Sequence, residues 1–233
     1  MPDAAVSVPL VLAVDTSTTV AVALARGAEV LAVATVADRM AHVEQLTPLV
    51  HRCLAEAGLR PRDLGLVVAG LGPGPFTGLR VGIVTARVLA SALGIGWRGV
   101  CSLDVLAAQL LAEHHPGREA PDEFVVATDA RRREVYWARY DGTGARLDGP
   151  RVSAPGEVPR LPTVGPGADL YPDSLAAVLG PRTLDPAVLA VSGPTLPDAG
   201  REPLYLRRPD AAEPTKRKSV LLPAPPSGPR SPR

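Results

Sequence analysis

Residues 64–93 limit what this chain can fold into more than any other stretch. Leu64-Gly65-Leu66-Val67-Val68-Ala69 is a short apolar run before turn residues, which suits a buried parallel strand. Gly70-Leu71-Gly72-Pro73-Gly74-Pro75-Phe76-Thr77-Gly78 is a glycine–proline turn, with Thr77 as a candidate helix N-cap. Leu79 to Leu93 is long enough for a helix of about four turns. Strand, tight turn and helix N-terminus together have the outline of a phosphate-binding corner. The turn chemistry favours a rigid packing corner instead. Pro73 and Pro75 remove two backbone donors, and no Lys-Ser or Lys-Thr follows the glycines.

The helix has a second peculiarity. Apolar residues from Leu79 to Leu93 cover nearly its whole circumference, interrupted by Arg80, Thr85, Arg87 and Ser91. A helix that is apolar all round is covered on all sides. Either it is enclosed within its own domain, or one face meets its own sheet and the other a second subunit.

At 233 residues the chain holds one large or two small domains. The hydrophobic fraction is 46% but the aromatic fraction only 3%, so the core is built from Ala, Val and Leu. Cys53 and Cys101 lie in apolar settings and read as buried thiols, not a disulfide framework. No basic segment followed by an apolar run marks a signal peptide, and no apolar run reaches the roughly 20 residues of a membrane span. The expectation is a soluble, cytoplasmic protein. Net charge is +1, unevenly placed. Five basic and two acidic residues fall from Pro209 onward, leaving 20 basic and 22 acidic in the body. Charge alone makes that body no strong polyanion binder.

In chain order, 1–9 reads as a loose N-terminus. Leu10 to Val14 is a strand ending at Asp15, Thr16-Ser17-Thr18-Thr19 a polar turn, and Val20–Leu24 and Glu29–Val36 complete an antiparallel meander. A helix from about Met40 to Ala57 stops at Gly58. Beyond the central strand and helix come a strand over 96–100 and a helix from Ser102 to about His114. Ser102 is its expected N-cap, with Asp104 and Gln109 on its polar side. A proline-rich break over 116–121 separates a first lobe, 10–115, from a second, 122–208. There the opening pattern recurs: Phe124 to Thr128 ends at Asp129, Ala130-Arg131-Arg132-Arg133 turns, and Glu134–Tyr140 returns, with a third strand over 146–152. This weak repeat suggests two related halves. Short helices are expected over 175–179 and 187–191, and 203–207 as a last strand or docking segment. The segment 209–233, with seven prolines, reads as a disordered basic tail.

Candidate chemistry is sparse. His42 and His51 are nine residues apart on one helix and therefore on opposite faces. With no His-x-x-x-His and no Cys-x-x-Cys, a protein-held metal is not expected. No serine or cysteine has a recognisable base at motif spacing. Asp15, Thr16, Ser17 and Asp129 form a vestigial phosphate site or simply cap their hairpins, the second being favoured.

Five segments in order carry a resemblance. They are 12–18 (Leu-Ala-Val-Asp-Thr-Ser-Thr), 72–82 (Gly-Pro-Gly-Pro-Phe-Thr-Gly-Leu-Arg-Val-Gly), Ser102-Leu103, 129–136 (Asp-Ala-Arg-Arg-Arg-Glu-Val-Tyr) and 203–207 (Pro-Leu-Tyr-Leu-Arg). The chain resembles the bacterial TsaB (YeaZ) family over roughly 10–207. The resemblance implies an α/β fold of the actin/Hsp70/sugar-kinase (ASKHA) kind in two lobes, each a mixed sheet with helices. It also implies a non-catalytic scaffold that supports the catalytic paralogue TsaD, with the ATPase TsaE, in threonylcarbamoylation of tRNA adenosine (t6A), meeting tRNA through that complex. No cofactor is expected, and a nucleotide at the partner boundary stays open. Carried over, the partner face is Val43, Leu46, Leu49, Val50 and Cys53 on the first helix and Arg80, Val81, Val84, Val88 and Ser91 on the second. Gly82, Ala86 and Ala90 would permit close approach, and the chain alone could self-associate there. Pro75 departs from the family, which often has Ser there, and weakens any phosphate role. The competing reading is a stand-alone small-molecule kinase of the same fold, with Asp15 and Asp129 at the phosphates.

Overall fold

Two sheets of five strands are built in the same order from different parts of the chain. The computed structural model describes residues 8–36, 42–113, 121–178 and 180–207, with backbone only for 42–44. The tail 209–233, His114 and His115 lie outside them. In the first sheet β1 (Leu10–Asp15), β2 (Val20–Arg26) and β3 (Glu29–Val36) form the expected antiparallel meander. Helix α1 (His42–Glu56) leads to β4 (Leu66–Gly70), which runs parallel to β1. Helix α2 (Phe76–Leu93) then leads to β5 (Gly96–Val100), parallel to β4. After α3 (Ser102–Ala112) the plan repeats. The strands β6 (Glu123–Asp129), β7 (Val135–Asp141) and β8 (Arg146–Ser153) are antiparallel, while β9 (Pro162–Val164) lies parallel to β6. Helix α4 (Pro166–Leu170) and β10 (Ala176–Ala177), parallel to β9, complete the second sheet. Asp15 and Asp129 thus end equivalent strands. This is the two-lobed α/β architecture of the actin/Hsp70/sugar-kinase class.

Alternation along the strands decides which helix lies on which face. Leu12, Val14, Val22 and Leu24 point one way and pack with α1 and α2. Val11, Ala13, Ala23 and Ala25 point the other way, into a core shared with α3, the second sheet and α5 (Pro186–Ser192). Those alanines let α5 lie close on β1 and β2. The chain therefore returns to the first lobe after β10, and 122–208 is not one lobe throughout. Asp185 caps α5 by accepting from the Ala187 N–H at 2.8 Å.

Several expectations need correction. Helix α2 begins at Phe76, so Thr77 lies inside it and Pro75 is the N-cap residue. Cys101, not Ser102, stands at the cap of α3. Asp104 and Gln109 are buried, because that side of α3 packs against α5 and the second sheet, and the solvent side of α3 is confined to Ala108, Leu111 and Ala112. Around 175–178 the chain forms β10 and not a helix: bounded by Pro172 and Gly180, the segment is too short to nucleate one. Residues 203–207 are a docking segment and not a strand. The Leu204 N–H donates to the Leu71 carbonyl at 2.9 Å, and Leu204 packs with Leu71, Leu79 and Ile83.

Candidate functional site

The corner around Asp15 is closed by the chain's own groups. Asp15 Oδ1 accepts from the Ser17 N–H at 2.7 Å and from Ser17 Oγ at 2.6 Å. Its Oδ2 accepts from Ser102 Oγ at 2.5 Å, and Ser102 Oγ accepts in turn from the Gly72 N–H at 3.1 Å. Thr16 Oγ1 donates to the Gly78 carbonyl at 2.8 Å. Glycine is required where α2 and its loop press on this turn. A side-chain carbon at Gly70 would collide with the Asp15 carboxylate, and one at Gly82 with Thr16 Oγ1. Asp15, Thr16, Ser17 and Ser102 are all buried. Burial pushes the Asp15 carboxyl up from its ordinary pKa, and the hydroxyl donors of Ser102 and Ser17 pull it partly back. A carboxylate so occupied joins the β1–β2 turn, the 70–78 loop and α3. It offers no open cradle.

Asp129 serves its own turn. Its Oδ1 accepts from the Arg131 N–H at 2.8 Å, and its Oδ2 pairs with the Arg131 guanidinium at 3.3 Å. Cys53 and Cys101 are free and buried; burial pushes both thiols up, Cys101 to about 12. Among the described residues no group of three or more His, Cys, Asp or Glu side chains converges.

The expected partner face divides. On α1, Leu46, Leu49, Val50 and Cys53 are buried in the chain's own core, so they turn inward. The outer side of α1 is polar, with His51, Arg52 and Glu56 exposed. The Val43 side chain lies outside the described residues. On α2, by contrast, Arg80, Val84, Val88 and Ser91 are exposed and Val81 is half-buried. Val84 is 53% exposed and Val88 61%, one turn apart on one face. Gly82, Ala86 and Ala90 face inward instead, where they let α2 lie close to its own sheet and turn. By length and composition α2 could cross a membrane, yet its small-residue side is packed into the first lobe.

Residues 12–177 match the family model described as TsaD, tRNA N6-adenosine threonylcarbamoyltransferase. YeaZ from Pseudomonas aeruginosa superposes with a TM-score of 0.66 at 28% identity, covering 79% of this chain and 91% of that one. The chain belongs to the TsaB/YeaZ family. TsaB of Bacillus subtilis, a tRNA threonylcarbamoyladenosine biosynthesis protein, is 37% identical over 139 residues, 59% of this chain and 58% of the relative. An uncharacterized protein of Mycobacterium tuberculosis is 42% identical over 213 residues, 88% of this chain and 95% of that protein.

Two features escape sequence reasoning. Ser102, read as a cap, is the donor to Oδ2 of an aspartate 87 residues away; no spacing links them. The segment 203–207 meets the start of α2 through side chains. Tyr205 stacks on Phe76 with ring centroids 4.7 Å apart, and Arg80 lies 4.0 Å over Phe76 while its Nε donates to Tyr205 Oη at 2.9 Å.

Proposed function

We propose that this TsaB-family chain is a non-catalytic subunit of t6A biosynthesis in the cytoplasm. It would bind and support the catalytic paralogue TsaD alongside the ATPase TsaE, and reach tRNA through that complex. The observation that carries the reading is the pair of exposed valines, Val84 and Val88, on the outer face of α2. Apolar side chains standing together on a regular helix face are what a helical partner covers. The closed Asp15 corner agrees, because a kinase of this fold needs that corner open to phosphates and the carboxylate's acceptors are already taken. The chain is accordingly read as needing no cofactor of its own. In isolation two copies could use the same α2 face.

The test is to mix the purified chain with TsaD of the same organism, then measure assembly mass and t6A formation together. Val84→Glu places a charge in the proposed contact at a position that the fold leaves exposed. It should abolish co-purification and t6A formation while leaving the circular dichroism and thermal midpoint unchanged. A complex that survives Val84→Glu removes the α2 assignment. A wild-type chain that neither binds TsaD nor supports modification removes the role.

A further inference from the structure

The turn between β6 and β7 is built from three arginines in succession, and all three hold left-handed backbone. Arg131, Arg132 and Arg133 have φ of 61°, 52° and 62° and are exposed. L-residues avoid this region, and glycine, asparagine and aspartate are the usual occupants. The turn itself is closed by backbone bonds, Ala130 N–H to the Glu134 carbonyl and Glu134 N–H to the Arg131 carbonyl, each 3.0 Å. Backbone bonds thus close the turn, and the Arg131 guanidinium pairs with Asp129 beside it. A conformation disfavoured three times over, carrying three like charges, points to function.

The turn does not stand alone. Glu134 pairs with Arg207, which lies two residues beyond Tyr205. Tyr205 in turn contacts Phe76 and Arg80 at the start of α2. A continuous strip thus crosses from the second lobe to the first. It carries five arginines against the two carboxylates Asp129 and Glu134, with an aromatic pair between, and Tyr205 is 38% exposed. On a chain whose body is slightly acidic, this is a local basic feature.

We propose that this strip, anchored on the Arg131–Arg133 turn, binds the phosphate backbone of RNA; in the modification complex that RNA is the tRNA, so the identity of the RNA rests on the role proposed above. Guanidinium groups fit phosphate oxygens in paired geometry. Arginine beside aromatic rings is the chemistry of nucleic-acid surfaces, where rings take bases and cations take phosphates; here Tyr205 is the partly exposed ring, with Phe76 half-buried against it and Arg80. An acidic protein would call on the charges but would leave the ring pair unused.

The test uses Arg132→Gly/Arg133→Gly in the full chain, alone and mixed with its TsaD, against an unmodified tRNA transcript. Glycine suits left-handed backbone, so the variant should keep or raise the thermal midpoint while losing two charges. Fluorescence anisotropy across a salt series should show affinity falling about tenfold or more. The slope of log affinity against log salt should shrink by about 1.4–1.8, the signature of two lost phosphate contacts. Unchanged affinity and slope overturn the inference, whether or not the chain assembles with TsaD. So does a variant that binds RNA normally but loses TsaD, which would mark the turn as a protein contact. A failed role and a failed inference remain distinguishable, since the first is read from wild-type assembly and modification and the second from the variant's RNA binding.

Discussion

Asp15 shows how a residue that looks chemical can be structural. Its two oxygens accept from one N–H and two hydroxyls, and none of its capacity faces water. Burial raises its pKa above the ordinary 3.8 in the folded chain. At pH values between the unfolded and the folded pKa, the folded chain holds more proton on Asp15 than the unfolded chain does. That contribution to stability is present below about pH 4 and lost as pH rises through the folded-state value. Asp15→Asn removes the titration while keeping the shape, with Oδ1 accepting from Ser17 and the amide donating to Ser102 Oγ. Relative to wild type, the variant's thermal midpoint should therefore climb between pH 4 and pH 7. A constant difference across that range would show that burial does not penalise the charge. The sequence exposes Asp15 as a strand-end carboxylate beside hydroxyls, which is why phosphate handling and hairpin capping both fit it. What decides between them is Ser102 and Gly70. Both come from segments far along the chain, so no local pattern contains the answer.

Among the elements, α2 is the most legible and the most instructive. Its apolar circumference, the strand before it and its stop at Gly94 all follow from local pattern; Gly94 takes the left-handed cap with φ of 65°. What the pattern hides is which apolar side turns outward. Small residues line the inner side because α2 presses on the β1–β2 turn, and valines line the outer side. Gly82→Ala separates helix propensity from packing. Alanine should gain about 1 kcal/mol as a helix former. Its methyl, however, would strike Thr16 Oγ1 and come within 3.2 Å of Thr16 Cγ2, disturbing the Thr16–Gly78 hydrogen bond. Overpacking of a buried site costs typically about 1–3 kcal/mol, so packing should win and the variant should unfold at lower urea. Ser91→Ala, on the exposed side, should be neutral or mildly stabilising. If Gly82→Ala matched it, the close approach assigned to this helix would be wrong. Helix α1 was legible as a helix, but resemblance alone could not say that Leu46, Leu49, Val50 and Cys53 are used up by its own core.

At the scale of the molecule the repeated strand order was legible as two strand–aspartate–turn–strand units. The return of α5 to the first sheet was not, because a seven-residue helix with five residues of Ala, Val and Leu suits any apolar face. The lobes are tied together through α3, whose Asp104 reaches into the second sheet. Asp104 Oδ1 accepts from Tyr140 Oη at 2.8 Å on β7, with the Arg146 guanidinium of β8 at 3.6 Å. Asp104 Oδ2 is buried with no hydrogen-bond partner among the described residues. Burial pushes the Asp104 carboxyl up; Arg146 and the Tyr140 hydroxyl act in the opposite sense. Tyr140→Phe removes that hydroxyl and leaves an ionised Asp104 facing one distant cation. A hydrogen bond to a charged group contributes about 1.5–3 kcal/mol and one between neutral groups about 0.5–1.5 kcal/mol. The loss of stability should therefore grow from pH 4 to pH 8, because the raised pKa favours the neutral acid at the low end and rising pH favours the charged form that the hydroxyl supports. Because the shared core of α3 and α5 spans both sheets, unfolding in urea should remain a single transition in wild type and variant alike. Equal losses at the two pH values would mean that Asp104 carries no charge across the lobe boundary, and two separate transitions would mean that the lobes are not held as one cooperative unit.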